Sequence, residues 1–189
     1  MRKASIRTFF VSVGITLMML VSVMPAMAQE NNYISNRIGI GYQGMLAGEF
    51  LNGISARGWI GDNFGLELSG FYGSVDIDID LEDEDVDLED EDVDLTLGEL
   101  KAMYAFIVKE NSRFYVGAKG GYGQLDIGED VDLWECGVFI GSEWNFQGIP
   151  ELGFNFDVGY NYLHIDEDDY DVELDIDGIG VTFGIHYYF

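Results

Sequence analysis

From about residue 36 to residue 189, large apolar side chains recur at every second position. Leu152, Phe154, Phe156, Val158, Tyr160 and Tyr162 alternate with Gly153, Asn155, Asp157, Gly159 and Asn161. Ile179, Val181, Phe183, Ile185, Tyr187 and Phe189 alternate with Gly180, Thr182, Gly184, His186 and Tyr188. Phe114–Tyr122 and Trp134–Ile140 repeat the pattern, and noisier examples run through 36–46, 53–61, 64–73 and 98–107. A period of two is the signature of β-strands with one apolar face, and these segments predict eight of them.

Such strands suit a soluble sandwich with the apolar face inward, or a bilayer barrel with that face outward. Aromatic placement favours the barrel. Trp134 and Trp144 share a face at the two ends of one strand, and a ten-residue strand tilted by about 45° spans roughly 23 Å, close to the height of a lipid-facing band. Tyr72, Tyr122, Tyr160 and Tyr162 join Trp134 at one rim, while Phe64, Phe106, Phe114, Tyr187 and Phe189 join Trp144 at the other. The links at 61–63, 108–113 and 145–151 are short. Those at 73–97, 124–133 and 163–178 are long, with 46–53 intermediate. This alternation is expected when the two barrel ends face different compartments.

The expected fold is therefore all-β: an eight-stranded antiparallel transmembrane up-and-down barrel with strands extended beyond the membrane on the outer side. The first residues read as a secretory leader. Arg2, Lys3 and Arg7 precede an apolar run from Phe9 to Met24, and Ala26-Met27-Ala28 supplies a cleavage site. The expected organisation is a signal peptide over 1–28 and a barrel domain over 29–189.

The chain ends GVTFGIHYYF, with aromatic or apolar residues at alternate positions before Phe189. This resembles the C-terminal signal of bacterial outer-membrane barrels. With eight strands and a leader, the sequence is similar to the small OmpA/OmpX-type barrels. The resemblance implies residence in the bacterial outer membrane among lipid and lipopolysaccharide. It also implies recognition of Phe189 and Tyr187 by the barrel assembly machinery, and a monomer. Because that architecture hosts adhesins, enzymes, pores and structural members, it constrains fold more than function.

Charge sharpens the picture. The chain holds 35 Asp+Glu against 9 Lys+Arg, a formal net charge of −26, which argues against nucleic acid as a partner. Cys136 is the one cysteine, so an intrachain disulfide is excluded. On inward parity fall Arg37, Arg57, Lys101 and Lys119 with Glu67, Glu99, Glu135, Glu143 and Asp157, the composition of a paired lumen network. An eight-stranded barrel has an interior that side chains just fill, so a salt-bridged plug is expected in preference to a pore.

Most of the remaining acid lies at the long-loop end, including DLEDEDVDLEDEDVDL over 80–95. There the parity stays and the polarity inverts: Asp76, Asp78, Asp80, Asp175 and Asp177 point outward, while Ile77, Ile79, Leu97, Ile127, Leu133, Ile165 and Ile176 turn inward. The expected cause is that the sheet leaves the bilayer and continues into water, with only about 82–92 as a mobile tip. Asp76, Asp78 and Asp80, and Asp171, Glu173 and Asp175, form carboxylate rows that could hold Ca2+ or Mg2+ weakly. Neither row has EF-hand spacing, and no other cofactor is implied. His164 lacks the His-x-Ser pairing of the lipid A deacylase barrels and His186 faces the lumen, so no catalytic residue is identified. The reading is a non-enzymatic structural or surface-interaction barrel. The alternative is a porin-like or hydrophobic-ligand transport barrel using the apolar upper chamber.

Overall fold

The computed structural model describes residues 33–47, 49–75, 93–126, 130–167 and 172–189. The expected leader over 1–28 and the centre of the acidic repeat lie outside them. Every described element is a strand: β1 (Ile38–Ala47), β2 (Glu49–Ile60), β3 (Phe64–Val75), β4 (Val93–Lys109), β5 (Ser112–Asp126), β6 (Asp130–Phe146), β7 (Ile149–Glu167) and β8 (Val172–Tyr188). Each pairs antiparallel with its neighbours in chain order, and β1 closes on β8 to complete the barrel.

Closure depends on a close approach at the seam. A Cβ placed on Gly41 of β1 would lie 1.8 Å from the Ile185 carbonyl oxygen of β8. No side chain fits there without shifting backbone, so glycine is required. At the end bearing the short turns, here the lower end, two irregularities break the ladder, in β4 between Ala105 and Ile107 and in β6 between Asn145 and Phe146. Asn63 pins the first, donating from Nδ2 to Ala105 O while its own carbonyl accepts from Ala105 N, both at 2.7 Å.

Burial follows the sequence parity. Ile54, Val138 and Ile179 are 76%, 62% and 77% exposed on the outer face, a density of bare apolar side chains that only lipid covers without cost. Tyr72, Trp134 and Tyr160 stand at its upper margin, and Phe64, Phe106, Phe114, Trp144, Tyr187 and Phe189 at its lower one, all exposed. Trp134 lies 5.4 Å from Tyr162, and Trp144 lies 6.3 Å from Phe154. These contacts cross between β6 and β7 at both belts.

The strands outrun the bilayer unevenly. A membrane-crossing strand needs roughly 9–11 residues; β1 has 10, whereas β4, β6 and β8 have 17 and β7 has 19. The described parts of the long links in the sequence reading are ladder: β3 and β4 pair to Val75↔Val93, β5 and β6 to Asp126↔Asp130, and β7 and β8 to Glu167↔Val172. The intermediate link expected over 46–53 is corrected. The strands continue to Ala47 and resume at Glu49, because Leu46, Phe50 and Leu51 keep the alternation. Phe50 also stacks on Phe183 of β8 at 5.8 Å.

The interior is filled in three tiers. At the lower end Ile34, Trp59, Met103, Ala105, Tyr115, Phe139 and Tyr188 form an apolar cluster. Charged side chains occupy the middle. At the upper end Met45, Leu51, Phe71, Leu95, Leu97 and Leu133 pack together, flanked by Leu125, Leu163 and Ile165. Of the expected upper chamber, Leu97 and Leu133 are therefore in mutual contact and Ile165 lies against them. Ile176 is 48% exposed, while Ile77, Ile79 and Ile127 lie outside the described residues.

Candidate functional site: charged lumen and acidic rim

Five carboxylates and three cations of the predicted network meet in the middle tier. Arg57 of β2 is fully buried and bonds Glu67 of β3 through Nε. Its other nitrogens reach Tyr115 Oη at 3.0 Å, Asp157 at 3.7 Å and Glu143 at 3.9 Å. Lys101 of β4 sits between Asp157 at 3.2 Å and both Glu67 and Glu99 at 3.5 Å, and donates to Thr182 Oγ1 at 3.1 Å. Lys119 of β5 joins Glu99 at 2.6 Å to Glu135 at 3.1 Å. These contacts cross β2 to β8, so the network ties opposite walls together. Isolated burial of any member would cost several kcal/mol per ion, which partnering offsets.

The neutral groups complete it. Glu143 accepts from Trp59 Nε1 at 2.7 Å and from the Tyr188 hydroxyl. Tyr115 donates to Asp157 at 2.5 Å. With its carboxamide oxygen 3.1 Å from Arg57 Nη2, Asn155 places its nitrogen 3.2 Å from His186 Nδ1. That nitrogen then accepts, so Nε2 carries the proton of the neutral ring and donates to Ser55 Oγ at 2.6 Å. A cavity of ≈10 Å³ remains beside Lys101, Lys119, Asp157 and Thr182, space for about one water.

Arg37 does not join this network. It lies just before β1, donates from Nη1 to Tyr33 Oη at 3.1 Å and stacks 3.9 Å over the Tyr33 ring. Its partner is Tyr33, in the segment that precedes β1, and inward parity alone does not show that. The sequence reading missed Arg113 instead. Its side chain is buried, donates to Ser35 Oγ at 2.6 Å and lies 4.5 Å over the Trp59 ring. Parity with Tyr115 and Lys119 on β5 was the available signal, passed over because the strand was begun at Phe114. Beneath the barrel Tyr33 donates to Glu151 at 2.9 Å. That bond and a backbone one hold the Glu151 carboxyl below its ordinary range, the backbone bond contributing more.

At the upper rim the polarity inverts as the parity requires. Asp94, Asp132, Asp175 and Asp177 are exposed, whereas Leu95, Leu97, Val131 and Leu133 are buried. Asp175 accepts from Tyr162 Oη at 2.6 Å and contacts His164 Nδ1 at 2.7 Å. The His164 bond, and then the Tyr162 bond, lower its carboxyl pKa. Asp177 takes a hydrogen bond from the Tyr160 hydroxyl. Of the candidate ion ligands, Asp76, Asp78, Asp80 and Asp171 and the side chain of Glu173 lie outside the described residues. Among the described residues no three His, Cys, Asp or Glu side chains converge on a metal-sized site.

No family model matches the sequence, and no curated protein matches it. The architecture does match solved structures. The N-terminal β-barrel domain of OprF from Pseudomonas aeruginosa is 20% identical, over 82% of this chain and 98% of that one, with a TM-score of 0.54. Neisserial surface protein A is 17% identical over 81% and 95%, TM-score 0.46. The outer membrane protein AlkL is 13% identical over 87% and 94%, TM-score 0.47. The likeness to the OprF domain shows the fold, a closed eight-stranded antiparallel β-barrel.

Proposed function

We propose that the chain is a monomeric, non-enzymatic barrel of the bacterial outer membrane whose lumen is a structural plug and whose acidic outer rim is its working surface. The observation that carries this reading is the filled interior. Buried ion pairs and two apolar tiers occupy the lumen, while Asp94, Asp132, Asp175 and Asp177 are exposed at the outer ends of their strands. Carboxylates two residues apart on one strand face lie about 7 Å apart, inside a Debye length, and repel one another. Divalent cations relieve that repulsion and bridge the rim to the anionic lipopolysaccharide around it.

The test is limited proteolysis with and without millimolar Ca2+. Protection should rise over 73–97 and 163–178 and stay constant in the membrane-crossing strands. Replacing Asp76, Asp78 and Asp80 by Asn should reproduce part of that protection and blunt the calcium response. Unchanged cleavage in both proteins would reduce the rim to a solubilising surface. Planar-bilayer recordings distinguish the porin-like alternative, since the plugged lumen should pass no steady current.

A further inference from the structure

The chain enters the barrel through a strap. Residues 33–36 form a turn ahead of β1, closed by Arg37 N donating to Ile34 O at 3.3 Å, with Asn36 in the left-handed region at φ 59°. The strap is bound at all three lower hairpin ends. At the β2–β3 turn Gly61 N donates to Asn36 Oδ1 at 2.8 Å, and Ser35 Oγ donates to Asp62 at 2.5 Å. Beside the β4–β5 turn Arg113 Nη2 donates to Ser35 Oγ at 2.6 Å, and beside the β6–β7 turn Tyr33 donates to Glu151 at 2.9 Å. Residues 33–37 thus tie β2, β5 and β7 together at the lower end.

Two opposing effects meet in this position. Ile34 is buried and packs in one cluster with Trp59 and Tyr188, so closure removes apolar surface from water. Arg113 opposes it. The guanidinium is buried over the Trp59 ring, and its Nε and Nη1 have no hydrogen-bond partner among the described residues. A buried donor left unmet loses its hydration without replacement. The Ser35 hydroxyl also links Arg113 to Asp62, an opposite charge that the guanidinium reaches only through it. Withdrawal of Ser35 lets those two groups pair and lets water reach Nε and Nη1. The ion pairs of Arg57, Lys101 and Lys119 run to Glu67, Glu99, Glu135, Glu143 and Asp157 and leave the strap out. The charged tier therefore has no need to change when the strap moves.

We infer that residues 33–37 are a lid on the lower mouth of the barrel, with two positions. In the closed one Ser35 links Arg113 to Asp62, and Ile34 completes the lower apolar tier. In the lifted one Arg113 pairs with Asp62 directly, its other donors are hydrated, and Trp59 is open to solution from below. Most of the bonds that hold the strap are made by side chains rather than by a ladder, and local opening arises in such segments well below the free energy of global unfolding. The exchange of one partner for another at Arg113 makes the two positions discrete. The inference concerns the end opposite the acidic rim and stands apart from the proposed function.

Amide hydrogen exchange of the unaltered barrel in detergent micelles, followed by NMR, reads the opening. Asn36 N donates to Trp59 O at 3.0 Å, so the amides of Asn36 and Gly61 are both held by the closed lid. They should exchange at least about tenfold faster than the β1 ladder amides from Gly41 to Gly44, because lifting does not require the barrel to unfold. Ser35→Ala removes two hydrogen bonds and should raise the rate at Asn36 and Gly61 by about a further tenfold. Arg113→Met should lower it severalfold, since the unmet donors are gone while Ser35 keeps Asp62. A strap that Arg113 merely fastened would loosen instead. With Trp134 and Trp144 replaced by Phe, acrylamide quenching of Trp59 should rise in Ser35→Ala and fall in Arg113→Met, in step with the exchange rates. Four results would each overturn the inference: strap amides as slow as the ladder in the unaltered protein, no response to Ser35→Ala, faster exchange in Arg113→Met, or altered exchange with unaltered quenching. The first comparison uses no substitution, so it stands even where a variant misfolds.

Discussion

Replacing Arg57 by Met keeps most of the buried side-chain volume and removes the charge that holds the middle of the lumen together. The guanidinium is fully buried and contacts Glu67, Tyr115, Asp157 and Glu143. Its loss leaves Glu67 with Lys101 at 3.5 Å and Ser69 at 3.1 Å, and leaves Asp157 sharing the same lysine. Taking one partner from a buried ion pair costs about 3–5 kcal/mol. Glu135→Gln should behave differently. Glu135 bonds Lys119 at 3.1 Å and faces the neighbouring Glu99 carboxyl, to which an amide can donate, and Lys119 retains Glu99 at 2.6 Å without it. The tier with Arg113 holds four cations against five carboxylates, so the amide removes a surplus charge, and the expected cost is about 1 kcal/mol or less. The difference is at least roughly thirtyfold in the folding equilibrium. Reversible urea unfolding in lipid vesicles, followed by fluorescence of Trp59, Trp134 and Trp144, measures both. Adding Glu67→Leu to Arg57→Met should recover part of the loss, because an apolar pair no longer leaves a lone buried carboxylate. Equal costs for Arg57→Met and Glu135→Gln would refute the assignment of Arg57 as the centre of the network.

Other outcomes follow from the same geometry. On the lipid face at mid-strand, Val158→Arg should destabilise by about 2–4 kcal/mol in vesicle unfolding. Asn155→Gln, inside the lumen, should cost less; equal costs would mean that the two faces are exchanged. Gly41→Ala should cost about 1–3 kcal/mol by pushing β1 from β8, while Gly70→Ala, where a Cβ meets nothing within 4 Å, should be close to neutral. Deleting Phe189 removes its bond to Ile38 and its ring contact with Tyr187. It should lower the yield of assembled barrel in membrane fractions more than deleting residues 87–93 does, and equal yields would remove the assembly role of the terminal aromatic.

The sequence by itself determined which side of each strand meets lipid. A period of two is read directly from residues such as Phe154, Phe156 and Val158, and one face of a bilayer strand must be apolar along its whole length. For the same reason Asp94, Asp132 and Asp175 marked the height at which the wall enters water, since their parity continues that of lipid-facing residues below. Parity states a direction and carries no information on depth. Arg37 and Arg57 share it, yet Arg37, ahead of β1, turns to Tyr33 while Arg57, within β2, meets Glu67, Glu143 and Asp157. Partner choice was likewise tertiary: Arg57 meets Glu67 on the adjacent strand, but Lys101 reaches Asp157 across the barrel, a contact fixed by closure and stagger rather than by spacing along the chain. The uneven height of the wall belongs to that level too: the β1–β2 ladder ends at Ala47↔Glu49 while β7 and β8 pair as far as Glu167↔Val172, a difference that meets at one seam only because β1 closes on β8.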